Sequence, residues 1–448
     1  MTSLTFYGGI NEVGGNKILL EEKDARIFLD FGKSFSKEKM YFDEPWLKPS
    51  CEDDLLALGI LPDLPRIYKK GGNGAPGVDA VIISHPHMDH FDSIRWLRDD
   101  IPIYSSQGAM DIILAREFCS RSQSVEYQIA CLTKTRGEEV ARQFEKLHMG
   151  KVEKVAGLDV TALEVDHSIP GACGTIIETK EGSIVYSGDL RLHGVRADKT
   201  EQFIKKAKEH EPEVLIIEGT NVGSCKISSE KEVQGKLDQI VKNTKGLVVA
   251  SFAVADQDRL DSFIKVAKAN GRTMVITAKQ AFMYESVHCS LSSIIKNTMI
   301  FKKDKKTISA FEEQLFETYP DNVIDAEGVK KIQKKAIFVA SLTDMLALPT
   351  VDPVPGSVYI LSSSEPFNEE MELSYDKLMA WLTHFGLPLF QVHASGHANA
   401  HDLQEMIEKI RPKKVMPVHT ENAKLYAKFI EKLGFDVVQP TEGKKMDV

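Results

Sequence analysis

The chain has 448 residues, of which 42% are apolar and 27% charged, and a formal net charge of −9. This length exceeds what one ordinary core supports and predicts two or three domains with the composition of a soluble globular enzyme. No apolar run reaches the roughly 18 residues that span a bilayer, and an acidic chain gives no global signal for a nucleic-acid partner.

Residues 1–9 lack a basic segment followed by an apolar one, so no secretory signal is read and the expected location is cytoplasmic. Six cysteines (Cys51, Cys119, Cys131, Cys173, Cys225 and Cys289) form no close pair. They read as buried small hydrophobes rather than as a disulfide framework or a Cys-rich zinc site. Any metal must then be held by histidine and carboxylate.

In chain order, short β-rich runs repeatedly stop at polar residues. Run 26–29 stops at Asp30, run 78–83 at a histidine cluster, and run 159–165 just before His167. Runs 175–178 and 183–187 are joined by Lys180-Glu181-Gly182, a hairpin signal, and the second stops at Gly188-Asp189. Run 214–217 stops at Glu218. Polar side chains at strand ends suit a site on the rim of stacked sheets.

Past about residue 223 the rhythm changes. Runs 246–250, 273–276, 336–339 and 357–361 are almost continuously apolar, and helical stretches such as 256–269 separate them. Strands buried on both faces and alternating with helices predict a mainly parallel sheet. From 365 the chain reads as helix, strand (389–392), helix (402–410), strand (414–418) and a last helix. The middle is therefore read as an insertion at 223–364 into a domain built from 1–222 and 365–448. No repeat or low-complexity tract interrupts this plan.

The chemistry concentrates in His85-Pro86-His87-Met88-Asp89-His90. Crowding three histidines and an aspartate onto one tight loop is costly unless a cation neutralises and orders them. Imidazole and carboxylate are also the ligands of a catalytic zinc that keeps one position open. Pro86 fixes the backbone between the first two candidates. The isolated His148, His193, His210, His288, His384 and His401 read as solvent-facing or hydrogen-bonded residues.

With Asp30 ahead of it, and His167 and Ser187-Gly188-Asp189 behind, this His-x-His-x-Asp-His pattern resembles the metallo-β-lactamase hydrolase fold. The resemblance implies an α/β chain in which an αββα sandwich holds two zinc ions. His85, His87 and His167 would hold the first, Asp89 and His90 the second, and Asp189 would bridge. Asp30 would accept a hydrogen bond from a ligand histidine and fix its tautomer. Glu218-Gly219-Thr220, His393-Ala394-Ser395-Gly396-His397 and Pro417-Val418-His419 resemble the three further motifs of the β-CASP subgroup, whose inserted domain lies between the first two. By that match Glu218 pairs with His397, and His419 completes the second metal's shell.

Members of this subgroup process nucleic acids, and a histidine at the last motif is similar to the RNA-cleaving branch. Gly8-Gly9-Ile10-Asn11-Glu12-Val13-Gly14 resembles the opening loop of the ribonuclease J group. The implied activity is hydrolysis of single-stranded RNA, exonucleolytic from the 5′ end, endonucleolytic or both. The resemblance implies no membrane partner and is compatible with a homodimer. Two metals would lower the pKa of a water towards about 7 and neutralise phosphate charge. His397, oriented by Glu218, would protonate the departing 3′ oxygen. Asp89 would belong to the catalytic set as well as to the ligands, and His393, Ser395 and Gly396 would contact phosphate.

The chain departs from the pattern in places. Asp92 stands where glycine is common and is expected to cap a helix begun near Ser93. Val254 and Ala255 replace the Ser and Asn usual in the ribonuclease J group's Phe-Ala-Ser-Asn stretch, which alters the expected 5′-phosphate pocket. The extra C-terminal domain of bacterial members is not expected. Lysines 296, 302, 303, 305 and 306, and again 330, 331, 334 and 335, read as solvated helix faces; Lys279 and Arg259 are the alternative phosphate contacts. With 8% aromatic residues and no KH-type motif, base recognition is expected to be weak. Three other functions compete. A thioester-type hydrolase on the same sandwich would need neither the Glu218/His397 pair nor the insertion. A DNA-processing β-CASP nuclease is disfavoured by His419. A silent RNA-binding subunit would be expected to lack ligands.

Overall fold

Side-chain alternation along the first strands separates two cores. In β1 (Thr2–Gly8), β2 (Lys17–Glu22) and β3 (Ala25–Phe31), Leu4, Phe6, Ile18, Leu20, Ile27 and Leu29 bury into one core, and Leu19, Phe28 and Phe31 into another. β4 (Ala80–Ile82), β5 (Ile103–Ser105) and β6 (Phe144–Lys146) extend this sheet in parallel, and strand Lys445–Asp447 closes its other edge against β1. The computed structural model describes residues 1–43, 46–120, 127–129, 142, 144–223, 228–364 and 369–448. Cys131, Cys225 and the expected boundary at 365 lie outside the described residues.

A second sheet contains β7 (Val152–Val155), β8 (Leu158–Glu164), β9 (Cys173–Glu178), β10 (Ser183–Tyr186) and β11 (Val214–Glu218), followed by Lys414–Val418 and Asp436–Val437. β9 and β10 pair antiparallel through the hairpin at 180–182, whereas β10 and β11 run parallel. Val160, Ile177, Ile184, Tyr186, Ile216 and Met416 of this sheet meet the inner face of the first. Its outer face is covered by amphipathic helices. Ala197–Glu209 buries Thr200, Phe203, Ile204 and Ala207, and Ala400–Ile410 buries Leu403, Met406, Ile407 and Ile410, in both cases the i, i+3, i+4, i+7 stripe. Ile94, Leu97 and Ile113 cover the outer face of the first sheet. The layers are thus helix, sheet, sheet, helix, the αββα sandwich expected.

The chain divides into two units, Met1–Cys225 with Gly396–Val448, and Lys226–Ser395. The second is built on β12 (Val248–Ser251), β13 (Thr273–Thr277), β14 (Thr298–Phe301), β15 (Val323–Ile324), β16 (Ala336–Val339), β17 (Val358–Leu361) and β18 (Leu389–Gln391). Every pairing in it is parallel, in the order β15-β14-β13-β16-β12-β17-β18. The chain therefore re-enters the first unit at 396 and not at 365. Run 389–392 is expected in the returning domain, but β18 pairs with β17 after helix Glu369–His384. A short apolar strand between two helices carries no mark of the sheet it joins.

Other expectations resolve in the same way. Arg259 is fully buried, donates to Glu230 at 2.7 Å and to the Val392 carbonyl at 3.3 Å, and so cannot meet phosphate. Lys303, Lys305 and Lys330 pair with Asp344, Glu312 and Asp352, and Lys279 is exposed. Cys173 is buried, but Cys289 is exposed because it ends helix Ala278–His288 in a left-handed turn. Among the described residues no helix is long and apolar enough to cross a membrane.

Gly174 leaves room for the Phe203 ring, since a Cβ there would lie 2.4 Å from Phe203 Cε2. Phe203→Ala is expected to cost about 3–5 kcal/mol in reversible urea unfolding, the cost of an emptied aromatic core site.

Candidate metal centre

β4 ends at Ile82, and after Ile83 and Ser84 the chain reaches His85. His87 stands at the N-cap of the one-turn helix Met88–Phe91, which carries Asp89 and His90. Two neighbouring segments clamp this helix. Asn16 N donates to the Asp89 carbonyl at 3.1 Å, and Lys33 N to the Met88 carbonyl at 3.0 Å. The approach tolerates no side chain: a Cβ at Gly32 would lie 1.7 Å from the Asp89 carbonyl oxygen. One at Gly14, whose φ is +89°, would lie 2.6 Å from Asp89 Oδ2. The glycine-rich loop of the opening strand thus seats the ligand helix.

Three nitrogens converge on one point. His87 Nδ1 lies 3.0 Å from both His85 Nε2 and His167 Nε2. Asp189 Oδ2 lies 3.4 Å from His85 Nε2 and 4.0 Å from His167 Nε2. Donors around a tetrahedral zinc with bonds near 2.0–2.1 Å stand about 3.3 Å apart, so this set already has the spacing of a coordination shell. A second set shares the same oxygen. Asp189 Oδ2 is 3.2 Å from His90 Nε2 and 3.6 Å from His419 Nε2, and Asp89 Oδ2 is 3.1 Å from His419 Nε2. All seven ligand candidates are therefore brought together in the first unit, in overlapping groups.

The surroundings decide which ring atom faces inward. Asp30, buried and at φ +58°, accepts from His90 Nδ1 at 2.7 Å. Its two oxygens also accept from Ser84 N and Oγ at 2.7 Å and from the Tyr186 hydroxyl at 2.6 Å. The Gly396 carbonyl accepts from His167 Nδ1 at 2.5 Å. These bonds assign protons to Nδ1 and turn the Nε2 lone pairs of both rings towards Asp189. Lone pairs facing a carboxylate repel unless a cation lies between them.

The electrostatics fit a metal in the same way. Burial first, then neighbouring imidazoles, hold His85 and His167 well below the usual histidine range, and burial takes His87 down to about 4. Neutral imidazole is the ligating form. Burial also opposes charge on His90, but the carboxylates of Asp189, Asp89 and Asp30 outweigh it and push the ring towards protonation. His90 Nε2 and Asp189 Oδ1 are buried without a hydrogen-bond partner among the described residues. A nitrogen-rich set with shared carboxylate oxygen suits a borderline divalent cation such as zinc. The residues present form a site for a metal cofactor.

Beside it, His397 Nδ1 lies 3.4 Å from Glu218 Oε1 and 3.7 Å from Asp189 Oδ2. Glu218 is held by the backbone N–H groups of Thr220 (2.9 Å) and Ala398 (3.2 Å). Burial pulls the His397 pKa down, but Glu218, Asp189 and Asp89 raise it to about 9. Thr220 closes the Glu218-Gly219-Thr220 motif, and nothing in its residue type marks a role at the metal centre. Its Oγ1 lies 2.8 Å from His419 Nδ1 and 3.2 Å from His397 Nδ1, linking a ligand to the candidate acid. The carbonyl of Gly396, a residue expected at phosphate, orients His167. His393 and Ser395 belong to the second unit. Asp92 caps no helix: its carboxylate lies 2.5 Å from Arg95 NH2, at the start of the 3-10 turn Asp92–Trp96. His148, His193 and His210 pair with Glu153, Asp402 and Glu178, away from the cluster.

Comparison with known proteins agrees with this geometry. Residues 59–245 match a model described as a beta-lactamase superfamily domain, and residues 389–440 one described as a Zn-dependent metallo-hydrolase RNA specificity domain. The chain is 26% identical over 439 residues to ribonuclease J of Mycoplasma genitalium, covering 94% of this chain and 68% of that protein. It is 26% identical over 458 residues to ribonuclease J of Pyrococcus abyssi, covering 97% and 94%. A crystal structure of a protein of unknown function from Enterococcus faecalis shares the fold, with a TM-score of 0.79 and 24% identity across 100% of both chains. With ligand order, sandwich and inserted parallel sheet in agreement, the chain is similar to metallo-β-lactamase-fold hydrolases of the ribonuclease J type.

Proposed function

We propose that this protein is a two-zinc ribonuclease that hydrolyses phosphodiester bonds of single-stranded RNA. His85, His87, His167 and Asp189 would hold one ion, and Asp89, His90, His419 and the same Asp189 the other. The observation that carries the reading is the pairing of His397 with Glu218 beside a double ligand cluster. A thioester hydrolase on this sandwich has no need of that pair. The relatives named ribonuclease J support RNA as the substrate, and His419, seated 3.1 Å from Asp89, supports the RNA-cleaving branch over a DNA-processing one.

Bound zinc supplies Lewis acidity, lowering the pKa of water and offsetting phosphate charge. The chain's own residues do the rest. Asp30 and the Gly396 carbonyl keep His90 and His167 in their ligating tautomers. Glu218 and Thr220 engage His397 Nδ1, so that Nε2 carries the proton delivered to the departing 3′ oxygen. Glu218 is itself locked by two backbone donors, which fixes the ring as well as its charge. His393 and Ser395 are proposed to contact phosphate. The protein acts in RNA processing or decay in the cytoplasm, as a monomer or homodimer.

His397→Ala is expected to lower kcat by about 10²–10⁴-fold while atomic emission still finds both metals; metal loss in parallel would refute the general-acid role. His85→Ala or Asp189→Ala should instead lose metal, and Asp30→Ala should weaken its binding by about 10–100-fold. Because a general acid must be protonated, kcat/KM should fall as pH rises through the elevated His397 pKa. Glu218→Gln removes the supporting charge and should move that falling limb to lower pH; an unmoved limb would exclude the pairing. Chelation should abolish cleavage. RNAs with 5′-monophosphate, 5′-triphosphate and 5′-hydroxyl ends, internally labelled, separate the modes of attack: mononucleotides from the monophosphate form alone indicate 5′–3′ exonuclease activity. No cleavage of any RNA alongside thioester turnover would overturn the proposal.

A further inference from the structure

Each ligand histidine whose Nε2 faces the centre has a polar group behind its ring. His90 Nδ1 meets Asp30, His167 Nδ1 meets the Gly396 carbonyl, and His85 Nδ1 lies 3.0 Å from Ser84 Oγ. For His419 that group is the Thr220 hydroxyl, 2.8 Å from Nδ1. This hydroxyl differs from the other groups in reaching the candidate acid. It lies 3.2 Å from His397 Nδ1 and 3.3 Å from the His419 carbonyl. A hydroxyl offers one proton and two lone pairs. His419 must keep its Nε2 lone pair for a metal and so carries its proton on Nδ1. The count then closes: Thr220 Oγ1 accepts from the two ring N–H groups and donates to the His419 carbonyl.

His419 needs such a restraint. Its backbone is left-handed, with φ +52°, which is uncommon for a residue with a Cβ and persists only where surrounding contacts impose it. Its N–H donates to the Gly9 carbonyl at 2.7 Å, and Thr220 holds the other side through both ring and carbonyl. Thr220 is itself fixed. Its N–H donates to Glu218 Oε2 at 2.9 Å, so the residue that touches the His397 ring also holds the carboxylate paired with that ring. At the preceding Gly219 a Cβ would lie 2.5 Å from Cδ1 of the buried Tyr426, so this motif is pressed against helix Ala423–Lys432.

We infer that Thr220 is a positioning residue that couples the second ligand group to the general acid: one hydroxyl keeps His419 in its ligating tautomer and His397 aimed for proton delivery. The role given to His397 rests on the ribonuclease reading above; the shared hold on two rings does not. Loss of the hydroxyl releases both rings at once.

The test uses the whole, zinc-loaded chain in three forms: wild type, Thr220→Val and Thr220→Ser. Chelator competition should find one ion bound about 10–100-fold more weakly in Thr220→Val, with the other held as in the wild type. With single-stranded RNA, and zinc sufficient to refill the weakened site, kcat should stay at least about tenfold low at unchanged KM, part of what a general acid contributes. Refilling the metal does not restore the acid. Thr220→Ser should recover both zinc affinity and kcat. Unchanged zinc binding, or a kcat that returns fully once zinc is added to Thr220→Val, would overturn the coupling. Loss of both ions together with Tm, unrepaired by serine, would mark a merely structural role and overturn it as well. Nitrogen-15 spectra of labelled histidines, with His397 and His419 each assigned by its absence from the matching alanine variant, give a reading without substrate. In Thr220→Val both Nδ1 signals should shift, and in Thr220→Ser both should return. If the wild type cleaves no RNA but these signals move together, the ribonuclease reading fails and the coupling stands. A His397 signal that Thr220→Val leaves in place would overturn the coupling whatever the RNA result.

Discussion

Everything in the first unit answers to one electrostatic problem, the convergence of buried imidazole lone pairs on a single carboxylate oxygen. Asp189 Oδ2 lies within 3.2 to 4.0 Å of ring nitrogens from His85, His90, His167, His397 and His419. Hydrogen bonds from behind, to Asp30 and to the Gly396 carbonyl, prevent at least two of those rings from turning away. An arrangement of that kind is stable only around positive charge. The sandwich is the device that holds it: four ligand candidates follow β4 and the other three follow β8, β10 and strand Lys414–Val418, and the two sheets are locked by the shared core of Phe6, Ile18, Tyr186 and Ile216.

The local part of this site was readable in the sequence. Three histidines and an aspartate within six residues have no inexpensive structural explanation, and His167, Asp189 and His419 each follow an apolar run that had to be a strand. The parallel inserted sheet was legible because continuous apolar runs mark strands buried on both faces, whereas the αββα sandwich came from the resemblance of the ligand pattern. What stayed hidden depends on contacts between distant segments. Nothing in the order of residues reveals that the Gly396 carbonyl, and not a side chain, reaches His167, or that Thr220 touches two histidines far away in the chain. The assignment of 389–391 to the inserted sheet was hidden because edge strands carry their partner's identity nowhere in their own composition. Asp92 was misread because Arg95, three residues on, competes for its carboxylate.

The reading of function divides along the same line. Metal chemistry follows from the ligand cluster alone. The choice of RNA depends on the Glu218–His397 pair and on likeness to ribonuclease J of other organisms.

The first ligand group spans His85 to Asp189, whereas the second closes only when His419 meets Asp89 across 330 residues. The backbone repeats this closure: His419 N donates to the Gly9 carbonyl at 2.7 Å, and Ile10 bridges Thr420. The second group therefore gains its last candidate ligand only once the whole of the second unit, residues 226–395, has been made. The first group also waits on that stretch for part of its order, because the carbonyl that orients His167 belongs to Gly396. A chain that stops short of residue 419 would carry the candidate ligands of the first group and lack the contact that joins Asp89 to the end of the chain.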